Sequence, residues 1–178
     1  QGIVAHVKLI PYVPFEKILE DCKKERFPLI VVLDGVEDPH NLGAILRTCD
    51  AIGANAVLVP KHGSAPLTAT VAKVSTGAID YVPVGQVTNL TNTLKKLKEE
   101  GYWVVGAEAH ESQDYREVDY KCPIALVMGS EGKGISRLVL EQCDFRVKLP
   151  MVGHVNSLNV SNATAILLYQ IYNDRNPI

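Results

Sequence analysis

No CxxC pair occurs in this sequence: Cys22, Cys49, Cys122 and Cys143 stand far apart, which argues against a zinc knuckle or a dithiol redox site. Four free thiols in a reducing compartment are the expectation. The five histidines, His6, His40, His62, His110 and His154, lack metal-ligand spacing, so no metal is expected. No apolar run approaches the ~18 residues of a membrane span, and no leader segment is evident. A soluble cytoplasmic protein with no membrane partner is therefore expected. Excess positive charge is also missing: the formal net charge is -2, so any polyanion must meet a local basic patch. Three nucleotide and hydrolase signatures are absent as well. There is no GxGxxG after the first strand, and Gly-Ser-Glu-Gly-Lys-Gly at 129–134 lacks both the spacing and the Ser/Thr after Lys of a phosphate-binding loop. Ser157 has His154 nearby in sequence but sits in no GxSxG elbow, which disfavours a serine hydrolase.

What is present is 178 residues with 47% hydrophobic content, enough for one sizeable core. Aliphatic runs at Leu29–Leu33, Ala56–Val59, Tyr102–Gly106, Ile124–Met128 and Arg146–Leu149, with a shorter one at Tyr81–Val84, read as buried strands. Helices are expected between them: Phe15–Lys24, about Ala44–Ile52 ending at Gly53, Pro66–Ala78, a helix capped by Thr88 or Asn89 and ending in the charged run 95–100, and Leu158–Asn173. Gly2–Ile10 reads as a short strand or connector, and 108–121 as a loop or short helix. This alternation predicts an α/β fold, a parallel sheet flanked by helices on both faces. Ligands bind such sheets beyond the carboxyl ends of the strands.

Three turns at those ends hold unusual residues. Asn41 and Arg47 follow the first strand, Gly129, Glu131 and Gly132 follow the fifth, and the stretch from Leu149 to Asn159 follows the last. Taken singly, Asn41 is an ordinary turn residue, Arg47 an exposed helical arginine, and the glycines simple turn formers. Asn156, Ser157, Asn159, Ser161 and Asn162 crowd the start of a packed helix, where buried polar groups require partners; a ligand or a buried arginine would provide them.

Three blocks carry a resemblance: Asp38-Pro-His-Asn-Leu-Gly-Ala-Ile-Leu-Arg, Leu126-Val-Met-Gly-Ser-Glu-Gly-Lys-Gly, and Leu149-Pro-Met-Val-Gly-His-Val-Asn-Ser-Leu-Asn-Val-Ser. In order and spacing they resemble the motifs of the SpoU or TrmH branch of the SPOUT methyltransferases, which modify ribose 2'-hydroxyls in RNA. Lys61–Ala78 and the segment from Val87 to Leu90 resemble most the bacterial enzymes that methylate a guanosine of large-subunit (23S) ribosomal RNA. The resemblance implies a deep C-terminal trefoil knot, a homodimer and S-adenosyl-L-methionine as cofactor. It also implies a domain plan in which residues 1–25 are connector and short helix from a preceding RNA-binding domain, and 26–178 the catalytic domain.

By position, the resemblance implies that Gly129, Gly132, Leu149, Met151 and Leu158 hold the cofactor. Arg47 would activate the 2'-hydroxyl, Asn41 and Glu131 would fix the substrate and arginine, and Ser157 and Asn159 would orient arginine and cofactor. RNA would run along Arg47, Lys61, His62, Lys133 and Arg137. A transfer RNA substrate and a non-catalytic RNA-binding module are the alternatives.

Overall fold

The computed structural model describes Gly2 and residues 10–178. The strand or connector expected over Gly2–Ile10 falls almost wholly outside the described residues. Among the described residues, seven strands form one sheet: β1 (Leu29–Asp34), β2 (Ala56–Pro60), β3 (Val84–Val87), β4 (Trp103–Ala107), β5 (Gln113–Asp114), β6 (Ile124–Gly129) and β7 (Phe145–Lys148). Their order across the sheet is β3-β2-β1-β6-β4-β7-β5, and every pairing is parallel. The helices are α1 (Phe15–Cys22), α2 (Pro39–Ile52), α3 (Ala69–Val74), α4 (Leu90–Glu99), α5 (Arg137–Leu140) and α6 (Val160–Arg175).

The sheet is covered on both sides because its central strands are apolar on both faces, from Leu29 to Leu33 and from Ile124 to Met128. In β1, Leu29, Val31 and Leu33 enter one core while Ile30 and Val32 enter the other; in β6, Ile124, Leu126 and Met128 oppose Ala125 and Val127 in the same way. Alternate side chains of a strand point to opposite faces, so a continuous aliphatic run demands two coverings. Leu42, Ile45, Leu46 and Cys49 of α2, with Leu167, Leu168 and Ile171 of α6, cover the first face. Ile18 and Leu19 of α1, Leu90, Leu94 and Leu97 of α4, and Val139 of α5 cover the second. Each such side chain contributes roughly 1.5–3 kcal/mol on burial. The helix expected to belong to a connector thus supplies core side chains, and the chain before it is tied down by Val13 N–H donating to Val84 O at 2.8 Å.

Several boundaries differ from the sequence expectation. The second helix begins at Pro39 rather than Ala44, because Asp38 caps it by accepting from His40 N–H at 2.8 Å and proline occupies the first turn, where its missing N–H costs nothing. The helix expected over Pro66–Ala78 shrinks to Ala69–Val74, since Thr76 and Gly77 take left-handed backbone conformations (φ 52° and 87°). The following strand is Val84–Val87, in register with Val57–Pro60, and exposed Tyr81 lies outside it. The last helix starts at Val160, with Asn159 as its cap.

Arg175 closes the fold at the opposite end of the sheet. Its guanidinium donates to Tyr120 O at 2.9 Å, Phe27 O at 2.8 Å and Cys122 O at 2.8 Å, fastening the end of α6 to the segments that enter β1 and β6. Burial lowers its pKa from the ordinary arginine value. The supply of carbonyl acceptors keeps the charge hydrogen-bonded there.

Candidate active site at the β1–β6 crevice

Strands β1 and β6 are neighbours in full register, with Asp34 beside Gly129. The chain leaves β1 toward β2 on one side and leaves β6 toward β7 on the other. Two adjacent strands whose connections diverge leave a crevice at their carboxyl ends, where ligands of open α/β sheets bind.

The loop after β6 is folded back tightly. Gly134 N–H donates to Ser130 O at 2.9 Å, and Ser136 N–H donates to the Asp34 carboxylate at 2.7 Å. A side chain at Gly129 is excluded: an added Cβ would lie 2.2 Å from the Gly134 carbonyl carbon and 2.4 Å from Ile135 N. Gly132 and Gly134 have positive φ of 84° and 67°, which lets the loop double back.

Glu131, at the tip of that loop, joins all three motifs. Its Oε1 accepts from Asn159 Nδ2 at 2.9 Å and from Val160 N–H at 3.2 Å. Asn159 Nδ2 also donates to Asn41 Oδ1 at 3.1 Å, while its Oδ1 accepts from Ser161 N–H at 2.9 Å, from Asn162 N–H at 3.3 Å and from the Ser161 hydroxyl. Because Oδ1 is committed to the first N–H groups of α6, Nδ2 must face the other way, toward Asn41 and Glu131. Within the polar cluster at the start of α6, Asn159 is therefore satisfied by the helix's own amides and by these two side chains, while Asn156 and Ser157 are exposed. The buried arginine considered as its partner does not serve it; Arg175 stands at the other end of α6.

Two cavities meet at Glu131. The larger-walled one, about 550 Å³, runs from the end of β4 across the β6 loop to the segment before α6. It contains all five residues expected to hold a cofactor: Gly129, Gly132, Leu149, Met151 and Leu158. Met128, Ala163 and Leu167 add apolar wall, and Ser157 stands at its rim. The second, also about 550 Å³, is lined by Asp34 to Asp38, Asn41 and Ser136, with Ser130, Glu131, Lys133, Gly134 and Val160 common to both. Aliphatic residues and glycines predominate among the residues around the first cavity, and charged or polar side chains (Asp34, Glu37, Asp38, Asn41, Glu131, Lys133) around the second, which suits a bound group in one and a polar substrate in the other.

Arg47 is not brought into this cluster. It is an exposed residue of α2, outside both cavities, and its guanidinium makes no hydrogen bond or ion pair among the described residues. Ser157 is likewise exposed and has no hydrogen bond to His154 among the described residues, so no hydrolase dyad is assembled. Sequence reasoning misses the wall formed by Ala107–His110, most of which falls in the segment 108–121 expected as a loop or short helix. It also misses Asp34, whose carboxylate pins the β6 loop. Both lie at the carboxyl ends of parallel strands, the same signal that locates the other turns. Among the described residues there is no group of three or more side chains suited to a metal ion, and no helix is long and apolar enough to cross a membrane.

The fold and crevice define an open α/β protein with a ligand site at the carboxyl ends of β1 and β6. Residues 28–169 match the model of the SpoU rRNA Methylase family, and the chain belongs to that family. A Staphylococcus saprophyticus protein named for the TrmH family of tRNA/rRNA methyltransferases is 51% identical over the whole chain, which spans 72% of that protein. The A. aeolicus TrmH/SpoU tRNA modifying enzyme superposes with a TM-score of 0.76 at 34% identity, over 90% of this chain and 83% of that one. The SpoU methyltransferase AviRb from Streptomyces viridochromogenes, in complex with AdoMet, gives a TM-score of 0.78 at 29% identity, over 85% of this chain and 59% of that one.

Proposed function

We propose that this chain transfers a methyl group from S-adenosylmethionine to a ribose 2'-hydroxyl of RNA, with a guanosine of large-subunit ribosomal RNA as the first target to test and transfer RNA as the second. The observation that carries the reading is the hydrogen-bonded bridge Asn41–Asn159–Glu131, which joins the three motifs between a cavity walled mainly by aliphatic residues and glycines and one ringed by charged and polar side chains.

The apolar cavity fits the cofactor in size and lining: small-ligand sites run to ~300–1,000 Å³, with apolar walls and a few fixed polar groups. Gly129, Gly132, Leu149, Met151 and Leu158 would hold it there. When bound, it supplies a methyl group on a sulfonium, activated without help from the protein. What remains for the protein is alignment and charge. Asn41 and Glu131 would position the ribose in the polar cavity, and Asn159 would keep the two at a fixed separation. Ser157 would orient groups at the cavity rim. Arg47 is too weak an acid to act as a base in its ordinary charged form, so its role is electrostatic: its guanidinium would stabilise negative charge on the 2'-oxygen while the hydroxyl proton passes to a flanking phosphate.

A two-fold homodimer belongs to the same proposal. It is supported by the exposed apolar side chains Ile166, Tyr169 and Tyr172 of α6 and Val152 and Val155 of the preceding loop, which a partner copy would cover. The knotted path of the C-terminal segment belongs to it as well.

The test is transfer of a labelled methyl group from S-adenosylmethionine to protein-free ribosomal RNA and to transfer RNA, with the product mapped by cleavage sensitive to ribose 2'-O-methylation. A single protected ribose is the expected result. Methylation of a base instead would overturn the reaction type, and absence of cofactor binding by calorimetry would overturn the whole reading.

A further inference from the structure

A third cavity extends the crevice away from the cofactor side. It has a volume of about 330 Å³ and lies beyond the carboxyl ends of β1, β2 and β3, on the opposite side of Asp34 from Glu131. Asp34, Gly35 and Ser136 line both it and the polar cavity, so the three cavities form one trough along the ends of the strands.

Its walls are fixed. The loop after β2 is held at one end by Lys61 N–H donating to Val87 O at 2.8 Å and at the other by Ala65 N–H donating to Val36 O at 3.2 Å, with the Ser64 hydroxyl bonded to Pro60 O at 3.0 Å. That loop presents exposed His62 at the mouth. The far wall is the start of α4, where Asn89 Oδ1 accepts from Asn92 N–H at 3.0 Å. The Asn89 amide NH2 and the Thr91 hydroxyl form no hydrogen bond among the described residues, although both line the cavity. Leu90 and Val139 form an apolar floor.

We infer that this cavity is a subsite for the base of an unpaired nucleotide flanking the methylated one. The inference rests on the RNA reading given above. A planar aromatic imidazole at the mouth, an apolar floor and free amide and hydroxyl groups on one wall match the way single-stranded RNA is read, by stacking and by hydrogen bonds to a base edge. The volume is at the small end of the range for ligand pockets, which suits a base better than a larger group. Continuity with the polar cavity means that a strand with its ribose at Glu131 and Asn41 can place a neighbour here. A duplex could not, because its bases are paired and stacked. The subsite therefore selects a looped or single-stranded target.

The experiment compares the unchanged protein with His62→Ala, His62→Phe and Thr91→Tyr. Binding of protein-free ribosomal RNA is measured by filter retention, cofactor binding by calorimetry, and methyl transfer on a short single strand around the mapped ribose, with the flanking base present or removed. His62→Ala and Thr91→Tyr should each raise the KM for RNA by about 10-fold, the size of one lost base stack, with kcat and cofactor affinity little changed. His62→Phe should restore the affinity by restoring an aromatic face. Removing the flanking base should weaken the unchanged protein by the same factor and the His62→Ala variant hardly at all. Unaltered KM in both cavity variants, or equal sensitivity to base removal in all proteins, overturns the inference while leaving methyl transfer standing. If the unchanged protein neither binds nor methylates RNA, both the RNA reading and this subsite fall.

Discussion

Replacing Gly129 with alanine tests whether the tight return of the β6 loop builds the cofactor cavity. The new Cβ would sit 2.2 Å from the Gly134 carbonyl carbon, 2.4 Å from Ile135 N and 2.5 Å from Gly134 O. Ordinary carbon contacts begin near ~3.5 Å, so the loop would have to retreat by about 1 Å. All three atoms are backbone, and no side-chain rotation relieves them. Retreat strains the Gly134–Ser130 bond and the Ser136–Asp34 bond and shifts Ile135, which is buried in the core on the α4 side. Overpacking of this kind costs about 1–3 kcal/mol. For a chain of this length each kcal/mol lowers the melting temperature by roughly 2–4 °C, so a fall of about 2–12 °C is expected in a thermal scan. A displacement of about 1 Å beside the reacting groups should also reduce methyl transfer by about 100-fold, and calorimetry should show weakened cofactor binding. A variant with unchanged melting temperature and unchanged cofactor affinity would refute the argument, since the loop would then have accommodated the methyl group without moving the cavity.

Asn159→Asp separates two duties of one side chain. A carboxylate still caps α6, so stability should drop by less than about 1 kcal/mol, yet it cannot donate to Asn41 and it sets a second acidic group beside Glu131. Methyl transfer should fall by about 10–100-fold, and near-normal turnover would remove Asn159 from the functional bridge. Arg47→Ala should lower kcat by about 100–1,000-fold with melting temperature and cofactor affinity unchanged, because the side chain is exposed and unbonded; retained turnover would end its proposed electrostatic role. Arg175→Met keeps an apolar stem but leaves the carbonyls of Phe27, Tyr120 and Cys122 without their donor, so urea unfolding should show a loss of roughly 3 kcal/mol or more. Burial pushes the thiol pKa of Cys49 and Cys143 up to about 12 from the ordinary 9.0. Below pH 9 both folded and unfolded chains carry the neutral thiol; as pH rises from 9 toward 12 the unfolded chain loses its protons first, and folded stability should decline over that window. At pH 8 iodoacetamide should spare Cys49 while the folded state persists, which mass mapping of the alkylated residues would check.

The sheet was legible because buried parallel strands are continuous aliphatic runs, and Leu29–Leu33 and Ile124–Met128 are unmistakable on that criterion. Strand order was not legible. Nothing in either run specifies that β1 pairs with β6, far along the chain, as well as with β2, the next strand in sequence. Short β5, only Gln113–Asp114, was missed for a different reason: two polar residues have no periodicity to read. The small helix Arg137–Leu140 was missed because four residues complete barely one turn.

The site divides along the same line. Each motif could be found from its own glycines and amides, but the bridge between Asn41 and Asn159 spans 118 residues, and the bridge between Glu131 and Asn159 spans 28. Contacts of that range are created by topology alone. The start of α2 shows the consequence. Asp38-Pro39-His40-Asn41 reads as a turn from composition, yet the same residues make a capped helix beginning with proline. As a loop residue Asn41 would be free to wander; as a residue in the first turn of a helix that buries Leu42, Ile45 and Leu46, it is held in place by the core. Because Glu131 is held through Gly129 and Asp34, and Asn159 through α6, each side of the bridge is anchored to a different packed element. Loosening any one of them should therefore cost alignment at the ribose before it costs the fold.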